Sequence, residues 1–354
     1  MEEFILPLIT ASIVSFASIK LVKPLAVEHG LVDNPDARKL HEGSIPLVGG
    51  IGIFVGVLTA LVVHLPAAHI PAQYLMSAAL LVIIGVIDDR HDLSVRFRII
   101  GQVIAASIMV FGAGVYLEDL GGIFGIGNIH LGIWGYPFTI IAVLAAINAF
   151  NFIDGIDGLA GSLSIVAFSS IGGMMLMNSS GLTNTVFIAL IMVAAIVPYL
   201  FFNMGLMGSK LKKVFMGDAG SMFMGLSVVW LLAAGSQGEQ RAFSPVTALW
   251  IIAIPLMDMT AIIFRRLKKG DSPFKPDRDH LHHIFMRAGY SDRKSLAIIT
   301  CLSVVLAVVG VLGEVLNIED YFMAMAFVIV FSVYYTALQH AWLLSKQLKA
   351  FLKK

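Results

Sequence analysis

Residues 136–177 read YPFTIIAVLAAINAFNFIDGIDGLAGSLSIVAFSSIGGMMLM, two long apolar runs separated by a short stretch that contains Asp154, Gly155, Asp157 and Gly158. Each run approaches the roughly 20 apolar residues that an α-helix needs to cross the hydrocarbon core of a bilayer. A helix also satisfies its backbone hydrogen bonds internally, which lipid requires. This stretch therefore predicts two membrane helices joined by a polar turn.

The rest of the chain repeats this pattern of long apolar runs. Of its 354 residues, 58% are hydrophobic and 13% are charged, and the mean hydropathy is +0.88, whereas soluble proteins carry about a quarter charged residues. We therefore expect an all-α polytopic membrane protein that forms one domain over residues 1–354. The single cysteine, Cys301, excludes a disulfide framework and a cysteine-based metal site. The predicted spans, about eleven in number, are residues 4–22, 45–65, 71–87, 97–115, 136–153, 158–177, 183–202, 219–236, 244–264, 296–313 and 321–342.

Lysine and arginine are confined almost entirely to alternate loops between the predicted spans. Of the 24 basic residues, only Arg241 lies on the opposite side, and Lys20 lies at the boundary of the first basic loop. Because Lys and Arg accumulate on the cytoplasmic side of membrane proteins, we expect a periplasmic N-terminus and a cytoplasmic C-terminus. The predicted cytoplasmic loops are candidates for a functional site, and they comprise residues 23–44, 88–96, 151–157, 203–218 and 265–295.

Two adjacent carboxylates, Asp88 and Asp89, end the third apolar run at its predicted cytoplasmic end. The C-terminus of a helix carries partial negative charge, so acidic side chains there are disfavoured unless a cation lies nearby. One interpretation is a functional pair that meets a cation, and the other is a charged stop at the membrane boundary. Lys or Arg would be the usual residue in such a stop, which favours the functional pair.

Two further acidic motifs contain glycine and fall on the same predicted side of the membrane. If the first is helical, Asp154 and Asp157 share one face, and Asn148 and Asn151 lie just upstream. In the second, Asp218 lies at the start of the eighth span, where a carboxylate can bind Mg²⁺ while backbone amides face phosphate oxygens. Ordinary turns and a helix N-cap are the structural alternatives. The recurrence of such motifs on one side favours a site.

The longest cytoplasmic loop contains three histidines, His280, His282 and His283, within four positions. Zinc is disfavoured because no cysteine accompanies them and the other motifs are rich in carboxylates. Histidine donors suit the diphosphate of an anionic substrate better, with positive charge added by Arg265, Arg266, Lys275 and Arg278. Apolar residues after His280 follow helical spacing and predict a short amphipathic helix in the membrane interface.

Three other polar residues, Asp258, His64 and His130, lie outside these motifs. Asp258 lies inside the ninth span near its cytoplasmic end, and an ionisable residue within a membrane segment is a functional candidate. Pairing with an arginine of the following loop is the structural alternative. His64 and His130 fall near the opposite surface, away from the motifs, and we interpret both as structural.

Together the motifs resemble the polyprenyl-phosphate N-acetylhexosamine-1-phosphate transferase family, in particular its bacterial GlcNAc-transferring branch. The resemblance covers nearly the whole chain, although the last two spans carry no family motif. Each motif is short, but all of them occur in order on alternate loops. The motifs that carry the resemblance are Pro46-Leu47-Val48-Gly49-Gly50, Asp88-Asp89, the stretch from Asn148 to Leu159, Met216 to Ser221, and Pro276-Asp277-Arg278 with His280-Leu281-His282-His283.

The resemblance implies a role for each motif. It implies that Asp218 is a Mg²⁺ ligand, that Asp88 activates the acceptor phosphate and that Asp89 supports the metal or Asp88. It implies that Asp154 and Asp157 belong to the catalytic centre, near the nucleotide and the metal. The remaining implied contacts with the donor substrate are Asn148, Asn151, Arg265, Arg278, His280, His282 and His283.

The resemblance also implies the reaction. GlcNAc-1-phosphate would pass from UDP-GlcNAc to undecaprenyl phosphate at the cytoplasmic face of the bacterial inner membrane, with release of UMP, and this would initiate the synthesis of a cell-envelope polysaccharide such as O-antigen. Mg²⁺, with Mn²⁺ as a substitute, would be the cofactor. No nucleic acid partner is expected, and a homodimer is left open. Direct attack by the lipid phosphate is favoured over a phospho-aspartate intermediate.

Two other interpretations compete with this one. A transferase with another UDP-amino-sugar donor fits the same motifs, although the His-x-His-His pattern after Pro-Asp-Arg resembles the GlcNAc branch. A transporter is the alternative of a different class. Ion-coupled carriers usually place charged groups near the middle of the bilayer, whereas the motifs here gather at one face.

Overall fold

The computed structural model describes residues 2–34, 43–178, 184–206, 208, 213–272 and 280–340 of the chain. Within these ranges the chain is almost entirely helical, and its one sheet pairs two short antiparallel strands, Val32–Asp33 (β1) and Ile45–Pro46 (β2). The helices of the described residues are α1 (Glu2–Glu28), α2 (Gly49–His64), α3 (Ala72–His91), α4 (Val95–Ser107), α5 (Gly135–Ile153), α6 (Leu159–Asn178), α7 (Asn184–Asn203), α8 (Gly217–Ser236), α9 (Pro245–Ile251), α10 (Ala253–Lys268), α11 (Leu281–Ala288), α12 (Asp292–Val315) and α13 (Asp320–Gln339).

Each predicted span corresponds to a helix or to a pair of helices, and the prediction of an all-α polytopic membrane protein is confirmed. In the described part of the chain, nine helices are long and apolar enough to cross a membrane, and the pair α9 and α10 would make a tenth. Helix α2 is apolar but shorter, at 16 residues. The fourth span is α4 continued by a π-helical turn, Ile108–Gly112. The count of eleven spans and their orientation stay predictions.

The ninth predicted span is broken rather than continuous. Helices α9 and α10 meet at Ile252 with a bend of 84°. Pro255 lies in the first turn of α10, where its missing N–H cannot bond to the carbonyl of Ile251 and its ring would clash with that carbonyl in a straight helix. The bend therefore has a local cause, and it directs α10 toward the end of the bundle where the acidic motifs lie.

Helix α8 is the centre of the bundle. Of its most apolar 18-residue window, 94% is buried, and it packs against α2, α3 and α5 through positions where one helix has glycine. A Cβ atom on Gly85 of α3 would lie 2.3 Å from the Cα atom of Ala219, and one on Gly225 would lie 2.5 Å from the Cα atom of Ile147. Small residues let membrane helices approach closely, which favours their packing.

The segment before α2 joins the start of α8 through backbone hydrogen bonds. The N–H of Phe215 donates to the carbonyl of Pro46 at 2.9 Å, and the N–H groups of Gly49 and Gly50 donate to the carbonyls of Phe215 and Met216 at 2.9 and 3.0 Å. The Pro46 to Gly50 motif thus holds the chain that enters α8.

The close approach of α5 and α8 predicts the effect of one substitution. Gly225→Ala should place a methyl group against the backbone of Ile147, because the nearest atoms belong to the main chain and cannot rotate away. Overpacking of this kind costs about 1–3 kcal/mol of stability. The thermal unfolding temperature of the purified protein in detergent should therefore fall.

Gly173→Ala is the matched control, since Gly173 lies within α6 and nothing lies within 4 Å of its added Cβ. This variant should unfold at the wild-type temperature or slightly above it, because alanine is the better helix former. Equal unfolding temperatures for the two variants would contradict the tight α5–α8 contact.

Candidate active site

The carboxylate of Asp88 is held by the turn between α3 and α4. Asp88 is 5% exposed, and its two oxygens accept hydrogen bonds from the backbone N–H of Leu93 at 2.8 Å and from Nη1 of Arg98 at 3.1 Å. The turn that makes this possible passes through Asp92 in the left-handed region, with φ 50°. The sequence predicted a compensating cation at this helix end, and Arg98 supplies it.

Asp89 belongs to the last turn of α3, and its carboxylate lies at the N-terminus of α8. Its Oδ1 accepts the backbone N–H of Asp218 at 2.8 Å, and its Oδ2 lies 3.4 Å from the N–H of Ala219. The first N–H groups of a helix have no partner within the helix, and a carboxylate there also opposes the positive end of the helix dipole. Gly217 has φ +72°, and a Cβ on it would lie 2.5 Å from Oδ2 of Asp89. Asp89 therefore caps α8, and its assignment to the metal stays a prediction.

Asp218 projects from the first turn of α8 toward Asp88 and α5. Its Oδ1 accepts a hydrogen bond from the Asn151 amide at 2.6 Å, and its Oδ2 lies 3.8 Å from Nη1 of Arg98. The same amide of Asn151 donates to the hydroxyl of Ser221 at 3.1 Å. Asp88 and Asp218, which are separated by 130 positions in sequence, therefore approach the same guanidinium nitrogen.

Asn148, one turn before Asn151 on α5, does not take part in this arrangement among the described residues. Its amide donates to Oε1 of Gln102 at 3.2 Å and to the carbonyl of Leu144 at 2.7 Å. It therefore joins α5 to α4. A contact between Asn148 and the substrate stays a prediction.

Asp154 and Asp157 lie in a turn, so the helical arrangement considered from their spacing is wrong. Helix α5 ends at Ile153, and the chain turns through Gly158 with φ +78° before α6 begins. The carboxylate of Asp157 lies 2.6 Å from Nζ of Lys213. Burial, together with the negative charges of Asp218 and Asp157, raises the pKa of Asp154 to about 7. The turn thus adds negative charge close to Asp218.

His280 pairs with Asp258. Nδ1 of His280 lies 2.7 Å from Oδ2 of Asp258, and both side chains are buried. In the described part of the chain, the intramembrane carboxylate is therefore paired with a histidine of the motif. The ring of Phe152, next to Asn151, lies 5.6 Å from the His280 ring.

His282 brings the histidine motif against the Asp154 turn. It is 1% exposed, and a Cβ on Gly155 would lie 2.2 Å from its Nε2 atom. Neither ring nitrogen has a hydrogen-bond partner among the described residues. Burial and the neighbouring His283 and His280 lower the pKa of His282 to about 3, so the ring is neutral at physiological pH. A neutral imidazole can donate one hydrogen bond and accept another.

The predicted short helix exists as α11, but its apolar face is covered by protein. Ile284 and Ala288 are 2% and 1% exposed, and Ile284 packs with Ala261 of α10 and Leu338 of α13. Protein therefore covers the centre of this face, and a position of α11 in the membrane interface stays a prediction. Docking of α11 onto α10 and α13 keeps His282 turned toward the Asp154 turn.

Two further residues assigned to the donor substrate, His283 and Arg265, lie within the described part of the chain. His283 is half-buried, with its ring 4.2 Å from that of His282. Arg265 is half-buried at the end of α10, and Arg278 lies outside the described residues. Lys275 also lies outside them. Arg266, one of the cations that the sequence placed beside the histidines, is 3% exposed, with its guanidinium 5.4 Å from the centre of the Phe152 ring. Helical periodicity is the signal that separates Arg265 from Arg266, because they face different sides of α10.

The donor atoms gathered here fit a hard divalent cation. Carboxylate oxygens of Asp88, Asp154 and Asp218 lie at one end of the bundle with Arg98 as the cation that Asp88 and Asp218 share. In the described part of the chain, no three acidic, histidine or cysteine side chains stand close enough to hold a metal by themselves. Mg²⁺ usually takes one or two carboxylates and completes its shell with water and substrate phosphate, so this donor set suits it.

Comparison with known proteins identifies the family of the chain and relatives that match nearly its whole length. Residues 72–236, from the start of α3 to the end of α8, match the model of glycosyl transferase family 4. The chain is 45% identical over 342 residues to an undecaprenyl-phosphate alpha-N-acetylglucosaminyl 1-phosphate transferase of Yersinia pestis, covering 96% of this chain and 93% of that protein. It is 44% identical to proteins of the same name from Haemophilus influenzae, covering 94% and 93%, and from Escherichia coli K12, covering 92% and 89%.

The matched segment contains Asp88, Asp89, Asn151, Asp154 and Asp218, and the matches to the relatives extend over nearly the whole chain. Similarity at this level over this length shows common descent and a common fold. The chain therefore belongs to glycosyl transferase family 4, among the polyprenyl-phosphate N-acetylhexosamine-1-phosphate transferases that its motifs resemble.

Proposed function

We propose that this chain transfers GlcNAc-1-phosphate from UDP-GlcNAc to undecaprenyl phosphate and releases UMP. The names of its relatives support this reaction. The structural observation that carries it is the convergence of Asp88 and Asp218 on Arg98, with the Asp154 turn and His282 beside them. Negative side chains, a shared guanidinium and a neutral imidazole at one end of a membrane bundle suit the transfer of a phosphoryl group between a soluble donor and a lipid.

The reaction joins the acceptor phosphate to the sugar-bearing phosphate of the donor. An oxygen of undecaprenyl phosphate attacks the β-phosphorus, the bond from that phosphorus to the bridging oxygen breaks, and UMP leaves with the electron pair. We favour direct attack because the acceptor is already an anion. Catalysis of such a transfer rests on positioning and on stabilising spread negative charge.

Arg98 and Asp88 are the residues that we assign to the reacting phosphates. Arg98 presents a planar set of donors that can bind phosphate oxygens, and its bond to Asp88 holds it beside Asp218. Asp88 can also take the proton of a monoanionic acceptor phosphate, which activates it. The turn at Leu93 fixes the direction of that carboxylate.

Mg²⁺, with Mn²⁺ as a substitute, is the cofactor that we propose. Asp218 is the residue that would hold it, with support from Asp89 or the Asp154 turn. When bound, the cation offsets charge on the donor diphosphate and makes the phosphorus a better electrophile.

The histidine motif and the arginines at the end of α10 form the donor side of the proposed site. His282 can exchange hydrogen bonds with the nucleotide or its diphosphate, because neither ring nitrogen has a partner among the described residues. His283 lies next to His282, and Arg265 in the last turn of α10 would add a further donor. We place this site at the cytoplasmic face of a bacterial inner membrane, since the positive-inside pattern assigns the basic loops to that side.

The proposed chemistry predicts the effect of removing either converging carboxylate. Purified protein with UDP-GlcNAc, undecaprenyl phosphate and Mg²⁺ should release UMP, and Asp88→Asn or Asp218→Asn should lower kcat by about 100-fold or more, as expected when a charge-stabilising group is lost. UMP release and formation of the lipid-linked product are the measurements.

Asp119→Asn is the control, because Asp119 lies in the loop between the π-helical turn and α5, near Arg241 at the other end of the bundle. It should leave kcat unchanged. Wild-type rates in both Asp88→Asn and Asp218→Asn would refute the assigned roles. The identity of the donor is tested with a panel of UDP-sugars in the same assay. The proposal requires UDP-GlcNAc to give the highest rate of UMP release.

The contact between Gly155 and His282 predicts a second effect. Gly155→Ala should force the buried His282 ring from its position, since the new methyl group would overlap the ring. Misplacing a binding group by about 1 Å can cost up to 100-fold in rate, so kcat/KM for UDP-GlcNAc should fall at least tenfold.

If the effect passes through His282, Gly155→Ala should cost little more once His282→Ala is present, and the double variant should resemble His282→Ala alone. Gly173→Ala serves again as the control. A Gly155→Ala protein with wild-type kcat/KM would show that this contact is not part of the site.

A further inference from the structure

Asp258 uses both of its oxygens to hold other parts of the chain. It is 1% exposed within α10. Oδ2 lies 2.7 Å from Nδ1 of His280, and Oδ1 accepts the backbone N–H of Leu281 at 3.0 Å and the hydroxyl of Tyr334 at 2.7 Å. Because a carboxylate only accepts hydrogen bonds, the proton shared with His280 belongs to Nδ1. The ring therefore has one fixed orientation and presents Nε2 on its other side.

The bond to Leu281 makes Asp258 the cap of α11. Leu281 is the first residue of that helix, and the side chain of His280, at the N-cap position, forms no capping bond with it. A carboxylate supplied from another helix satisfies one unpaired N–H and opposes the positive end of the helix dipole. Asp258 thus fixes both the start of α11 and the residue before it.

Tyr334 supports the same carboxylate from α13. Its hydroxyl bond to Oδ1 explains how a helix without any family motif contributes to the site region. A buried carboxylate is costly unless it is hydrogen-bonded and paired with a positive or donating group. An apolar side chain could fill this space at less cost, so stability alone is a poor reason for an aspartate here.

We propose that Asp258, supported by Tyr334, is a positioning residue that holds His280 and the first turn of α11 so that His282 meets the Asp154 turn. Its role in catalysis rests on the proposed function. His282 follows the Asp258-bound Leu281 directly, and its ring lies against Gly155. A displaced start of α11 would carry His282 and His283 away from the donor side of the site.

The first test measures the docking of α11 without reference to activity. Cys301 is the only cysteine, so Cys301→Ser gives a background in which Ala288→Cys is the single thiol. Ala288 is 1% exposed on the covered face of α11. Adding Asp258→Ala should raise the rate of N-ethylmaleimide labelling in detergent by about tenfold or more, because loss of a charged hydrogen-bond network makes local opening easier.

Glu314→Gln is the matched control in the same background. Glu314 of α12 also accepts a backbone N–H, from Ser244 at 2.8 Å, and a hydroxyl, from Thr247 at 2.6 Å, but it does so at the start of α9. It should leave labelling of Ala288→Cys and the kinetics of UMP release unchanged. An unchanged labelling rate in Asp258→Ala would refute the proposed anchoring of α11.

The second test measures UMP release by the full-length protein without the reporter cysteine. Asp258→Ala should lower kcat by about 50-fold, as misplaced binding groups do, and Asp258→Asn should give a smaller loss because its amide oxygen still accepts the Leu281 N–H. In a His280→Ala background, Asp258→Asn should cost little more, because the lost charge acts through His280.

The outcomes separate the two proposals. Wild-type protein that releases no UMP would end the proposed function, while the labelling result would still decide whether Asp258 holds α11. Faster labelling together with wild-type kcat and KM would refute the catalytic positioning role. If Asp258→Ala does not fold, the same two measurements are made on Asp258→Asn and Tyr334→Phe. A wild-type kcat and a wild-type labelling rate in both variants would overturn the proposal.

Discussion

The hydrogen bonds between Asp89 and the first turn of α8 are the interaction on which the site depends. Helix α8 is buried almost throughout, so its unpaired N-terminal N–H groups need partners inside the protein. Asp89 provides them from the end of α3, and the lack of side chains at Gly85 and Gly217 lets the two helices approach closely enough. This contact places Asp88 and Asp218 beside each other as a direct consequence.

The resulting concentration of negative charge explains the other features of the site. Asp88 is buried and Asp154 and Asp218 are half-buried at the same end of the bundle, and Coulomb interactions between partly buried charges are stronger than in solution. Arg98 offsets part of this charge, and Lys213 pairs with Asp157 at the edge. A divalent cation and phosphate groups can complete such an arrangement, and a substrate that brings both suits it.

The three histidines of the motif have separate structural positions. His280 is bound to Asp258 inside the bundle, His282 faces the Asp154 turn as a neutral ring, and His283 is half-buried next to it. Helix α11 therefore packs on α10 and α13 through Ile284, and its His282 side chain lies against the Asp154 turn. The bend between α9 and α10 directs α10, and with it α11, toward the end of the bundle where the acidic motifs lie.

The sequence by itself determined the fold class and the position of nearly every helix, and it predicted that Asp88, Asp154, Asp218 and His282 lie close together. Hydropathy and the alternation of basic loops depend only on local composition and on the two sides of a bilayer, and residues on one side of a bundle of this size cannot lie far apart. The tertiary structure alone decided that Arg98 is the shared cation, that Asp89 caps α8, that Asp258 pairs with His280, and that protein covers the centre of the apolar face of α11. Each of these depends on which helices are neighbours, and helix neighbours are set by the packing of small residues such as Gly85 and Gly225, whose contacts leave no periodic signal in the chain.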